Sequence, residues 1–171
     1  MKKKLVSILL VLCLCAGALC AGACDGEVPA AEVSGTTIAP TAAPNSLGGR
    51  LWETFLQEIA AHEAVTVEEL ARTLVDHPLI RFDGTVAPVE PGFLPGFDNY
   101  EVTGFRAGAM FCPMVGSIPF VGYVFELEDG VDAASFIEGL EKNANLRWMV
   151  CVAADQLVAG AQGNRVLFVM C

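Results

Sequence analysis

The sequence predicts an α+β domain, with an N-terminal helix pair and a crossover helix packed on a mostly antiparallel sheet of hairpins. Three observations carry this. Apolar residues recur at helical spacing up to Val75 and again after Asp132. From Tyr100 the pattern turns strand-like, with short runs of Val, Phe, Tyr and Met broken by turn residues. Of the 171 residues, the first two dozen form an apolar leader, which leaves room for one domain. Hairpins on either side of one crossover helix give the α+β order, with the helices expected on one face of the sheet.

Met1 to Ala23 has the three zones of an export signal: Lys2, Lys3 and Lys4, then the apolar stretch from Leu5, then a small-residue end running to Cys24. The tail Ala21-Gly22-Ala23-Cys24 resembles the lipobox of bacterial lipoproteins. In that family small residues let the backbone enter a peptidase groove, and the Cys thiol accepts a diacylglyceryl group. The resemblance makes residues 1–23 the signal peptide and Cys24 the lipidated N-terminus, anchored by about 0.8 kcal/mol per buried methylene. Ala21-Gly22-Ala23 is also an Ala-x-Ala site for ordinary signal peptidase, which would release a secreted protein. Left uncleaved, the 19 apolar residues from Leu5 to Ala23 are long enough to span a bilayer.

Without the leader, seven basic side chains face twenty acidic ones. A duplex of phosphates repels such a surface, so nucleic acid is excluded as a partner. Residues 24–46 hold three prolines, no aromatic residue and no sustained period. Sequence of that kind buries too little area to offset its ordering entropy and is expected to be a disordered, lipid-anchored linker.

The single α+β domain is expected over residues 47–171. Leu51, Trp52, Phe55, Leu56 and Ile59 line one side of a helix over residues 49–62. Thr66-Val67-Glu68-Glu69 is a capping box opening a second helix, and Pro78 closes it. Residues 83–99 hold three prolines and three glycines, which predicts an irregular loop anchored by Phe93, Leu94 and Phe97. Strands are expected over residues 100–106, 109–112 and 118–127, the break at residues 113–117 reading as a hairpin connection. Asp132 caps a third helix through Phe136, Ile137 and Leu140. Residues 147–153 and 165–170 read as further strands, with Gly163-Asn164 as a turn whose two residues both tolerate positive φ. Residues 157–161 fit either a partner strand or a helix end. The whole layout is similar to small uncharacterised lipoproteins of Gram-positive bacteria. That likeness implies a place, the outer face of the cell membrane, and carries no catalytic residues.

Little in the domain points to chemistry. Cys112, Cys151 and Cys171 remain once the leader cysteines and Cys24 are set aside. They read as small buried apolar residues on strands, with Cys151–Cys171 the preferred pair if one disulfide forms. A nucleophilic Cys needs a base, and only His62 and His77 exist, both at expected helix C-termini. A Cys112, His77, Asp76 set is the one nucleophilic arrangement the residues allow. Glu126, Glu128, Asp129 and Asp132 crowd a strand end, but their spacing fits no calcium loop, and alternation makes them a solvated face. No metal set and no cofactor motif is legible. Phe93, Phe97 and Tyr100, with Trp52 and Trp148, are the candidate surface for a protein partner or small ligand beside the Pro-rich loop. The expectation is a non-catalytic, membrane-tethered extracytoplasmic binding or interaction domain. The alternatives are a hydrolase using Cys112 or the acidic cluster, and a purely structural envelope component.

Overall fold

The computed structural model describes residues 35–171. The expected signal peptide, Cys24 and the expected linker as far as residue 34 lie outside the described residues. These residues form an α+β fold of three helices, a six-stranded sheet and a two-stranded ribbon. None of the helices described is long and apolar enough to cross a membrane.

Helix α1 spans Leu47–Ala61 and begins at Ser46, whose side chain accepts from the Gly49 N–H. Helix α2, Val67–Val75, carries the expected capping box complete: the Glu69 N–H donates to Thr66 Oγ1, and the Thr66 N–H donates to the Glu69 carboxylate. Helix α3, Ala133–Asn143, is capped by Asp132, which accepts from the Ser135 N–H at 2.9 Å. Each helix therefore starts where a short polar side chain satisfies an orphan amide.

The strands are β1 (Thr37–Ile38), β2 (Gly84–Pro88), β3 (Gly92–Phe93), β4 (Glu101–Val102), β5 (Phe105–Pro113), β6 (Val121–Leu127), β7 (Leu157–Gln162) and β8 (Arg165–Met170). The main sheet runs β1-β7-β8-β6-β5-β2, every pairing antiparallel, while β3 and β4 form the ribbon. Helix α3 links β6 to β7 across the intervening β8. Gly163 turns β7 into β8 with a φ of 61°. Asn164 keeps a negative φ, so the turn needs only one positive-φ residue, the Gly-first pattern of a type II′ hairpin.

Helices cover both faces of the sheet, not one. Leu51, Phe55, Leu70 and Leu74 pack with Ala109, Phe111, Val124 and Leu167 on one side. Phe136, Ile137 and Leu140 pack with Tyr123, Phe125, Val166 and Phe168 on the other. That is why β6 and β8 read as unbroken apolar runs: a strand dry on both faces needs no polar alternation. Strand β5 slips register between Phe105 and Ala107. This bulge turns Phe105 toward the α3 side while Ala107, Ala109 and Phe111 face the helix pair.

Three further expectations are corrected. Thr37–Ile38, placed in the linker, is instead an edge strand paired with β7, and Thr37 Oγ1 donates to Gln162 at 2.5 Å. Gly84–Pro88, placed in the irregular loop, pairs with β5; as an edge strand it tolerates Pro88 at its end. Residues 147–153 form no strand but a run of turns and bends, because the N–H groups of Trp148, Val150 and Cys151 close onto carbonyls two or three residues back.

Candidate functional site

The expected aromatic surface does not form as one patch. Phe93 is 65% exposed, but Phe97 is only 5% exposed, its ring set among Tyr123 and Phe168, and Tyr100 is half-buried against the α3-side core. Trp52 is buried on the opposite face, stacked on Phe55. The Pro-rich loop is held to the sheet from below: the buried Tyr123 hydroxyl donates to the Pro95 carbonyl at 2.7 Å. Burial pushes the Tyr123 phenol far up, so it stays a neutral donor.

An apolar cavity of about 180 Å³ opens beside Pro95. Its floor is β5, with Met110 and Cys112; one wall is the β5–β6 connection, with Val115 and Ile118, and the other wall is Trp148 and Met149. No charged side chain lines it. Of the lining side chains Val115 is 64% exposed, and Met114 and Val150, next in sequence to lining residues, are 70% and 78% exposed. Soluble surfaces rarely gather such side chains without a use for them.

The wall carrying Trp148 is shaped by the α3–β7 connection, tied down at both ends. At its start the Asn145 N–H donates to the Gly96 carbonyl, and the Asn145 side chain donates to Asp98 at 2.7 Å. At its finish Asp155 and Gln156 bond the backbone of Cys171. Between them, Trp148, Val150 and Cys151 donate only within the connection, each to a residue two or three positions before it. At its tip Val150 takes a φ of 63°, left-handed backbone that a β-branched residue rarely adopts.

The thiols do not make a reactive set. Cys112 lines the cavity, and neither histidine does. Burial raises its pKa, the opposite of what a poised thiolate requires. His77 Nδ1 accepts from the Leu79 N–H at 3.2 Å, closing its own turn. The preferred disulfide is absent: Cys151 and Cys171 are both free. Cys151 sits exposed on the turn rather than on a strand, and Cys171 follows β8, its Sγ 3.9 Å from the Gln156 side-chain oxygen.

The acidic cluster is occupied by its own fold. Arg106, set free of the ladder by the bulge, bridges Glu126 at 2.8 Å and Asp129 at 3.2 Å. The Arg106 hydrogen bond holds the Glu126 carboxyl below its usual range. Asp132 is lowered by its bonds from the Ser135 hydroxyl and N–H. A broader hollow of about 560 Å³ lies past α1, beside Glu58, His62, Glu63 and Glu69. There the His62 side chain is 66% exposed, 4.0 Å from Glu58, and Glu69 is committed to the Thr66 cap. Among the described residues no three His, Cys, Asp or Glu side chains come together to hold a metal ion.

Sequence reasoning placed the site one loop away from where the cavity lies. Trp148 belongs to the expected surface and Pro95 to its loop; Met110, Cys112, Ile118 and Met149 belong to neither. The available signal was the alternation in β5, which puts Met110 and Cys112 on the same side with Phe111 opposite. No family model, curated protein or solved structure matches the chain.

Proposed function

We propose that the protein is an exported, membrane-tethered binding domain whose ligand surface is the apolar cavity between Pro95, Cys112 and Trp148. The tether is the lipid on Cys24, as the lipobox-like tail implies, and the place of action is the outer face of the cell membrane. The observation that carries the binding reading is the cavity itself: uncharged throughout its lining and open to solvent at the exposed Val115. At about 180 Å³ it is smaller than the ~300–1,000 Å³ of sites for drug-sized ligands. It therefore suits one apolar side chain of a protein partner, or a ligand of that size. The excess of acidic residues keeps nucleic acid away.

Titration of the full chain with neutral N-phenyl-1-naphthylamine tests this. Fluorescence enhancement is expected. Met149→Asp, which places a charge on the cavity wall, is expected to abolish it, and Phe93→Asp to leave it intact. Enhancement lost only in Phe93→Asp returns the site to the Pro-rich loop and overturns the proposal. An intact mass of the mature N-terminus tests the tether: acyl addition on Cys24 is expected, and its absence removes the anchor.

A further inference from the structure

We propose that Met110, Cys112 and Met149 form a copper(I) site inside the apolar cavity, with Trp148 alongside the ion. This rests on the reading of the cavity as a binding site and adds a second occupant to it, a soft metal ion beside the apolar group.

The argument starts from a census of lone pairs. The side-chain heteroatoms lining the cavity are the sulfurs of Met110, Cys112 and Met149 and the indole nitrogen of Trp148. The indole nitrogen is a donor only, so every side-chain lone pair facing the space belongs to sulfur. Thioether and thiolate ligands select soft monovalent copper over ions that prefer oxygen or imidazole.

The three side chains reach one cavity from two elements. Met110 and Cys112 stand two apart on β5, where their partners in β2 are Ala87 and Thr85, so their side chains share a face. Met149 comes from the facing wall, its terminal methyl 3.9 Å from where a Cβ on Gly116 would stand. Trp148 follows from the same turn, and an indole face beside a cation adds a favourable quadrupole contact.

Charge is the third constraint. An ion in a cavity without charged side chains is tolerated only if its ligands neutralise it. One thiolate and one monovalent cation sum to zero, whereas a divalent ion on the same three sulfurs would leave a buried positive charge. On binding, the Cys112 S–H gives its proton to solvent, one copper–thiolate bond and two copper–thioether bonds form, and no oxidation state changes.

The test is anaerobic transfer of copper(I) from its bicinchoninate complex to the full chain, followed by colour loss and by tryptophan emission. The wild type is expected to take up one ion more than Cys112→Ser, with quenching that Trp148→Phe removes and Trp52→Phe retains. Met110→Leu and Met149→Leu preserve volume and fold. Their affinity is expected to fall at least as far as the ~10–100-fold lost when even an outer partner of a metal ligand is removed. Cys151→Ser and Cys171→Ser are expected to bind as the wild type does. Uptake and quenching unchanged in Cys112→Ser overturn the proposal. If naphthylamine binds and no copper is taken up at Cys112, the copper site falls and the cavity reading stands. If neither binds, the reading of the cavity falls with it.

Discussion

Val150 holds the most costly backbone in the described chain. A left-handed conformation costs an L-residue about 1–2 kcal/mol, and branching at Cβ makes it worse. Its side chain gains nothing from burial, being 78% exposed, and it directly follows Met149 of the cavity lining. Val150→Gly is therefore expected to raise stability by about 1 kcal/mol in urea unfolding, the relief of strain exceeding glycine's greater entropy loss. The same variant loosens the turn that carries Met149 of the cavity lining and is expected to weaken naphthylamine binding. Opposite signs for the two effects are the outcome to look for, because strain kept at a site that loses ligand on relief is strain kept for binding. A variant that loses both stability and binding places Val150 in the fold instead.

At the scale of elements, local chemistry made most of the fold legible. The Thr66–Glu69 box and the Asp132 cap stand where the sequence puts them, because a cap depends on four or five consecutive residues. Helix α1 starts two residues earlier than its apolar stripe implies, at the Ser46 cap, since the stripe marks only the buried face. Strand β2 was hidden by the prolines around it. An edge position, which only the sheet order reveals, is what lets Gly84–Pro88 pair at all. Residues 147–153 have strand composition, but their amides close local turns instead. The cavity was the least legible feature. Its lining comes from Pro95, from β5 and the connection after it, and from Trp148 and Met149. Only tertiary packing brings these together, and the same packing buries Phe97, which the sequence left open.

For the molecule as a whole, acid stability turns on carboxylates held below their ordinary range. Arg106 lowers Glu126, the Thr66 cap lowers Glu69 and the Ser135 contacts lower Asp132. A carboxyl depressed in the folded state stabilises above its unfolded pKa, and that contribution disappears as pH falls through the folded value. Arg106→Gln is accordingly expected to melt below the wild type at pH 7. The gap is expected to narrow once pH falls below the ordinary glutamate value of about 4.3, and to vanish only below the lowered value of the paired Glu126 carboxyl. A gap of equal size at pH 3 and pH 7 assigns Arg106 a packing role instead.

The two ends of the main sheet bear on how the domain behaves when crowded. On one side the edge strand, β1, is only two residues long. On the other, β2 finishes at Pro88, which has no N–H to offer a newcomer. Neither margin presents a long, flat row of open amides, so copies concentrated side by side find no template for sideways growth into a shared ribbon.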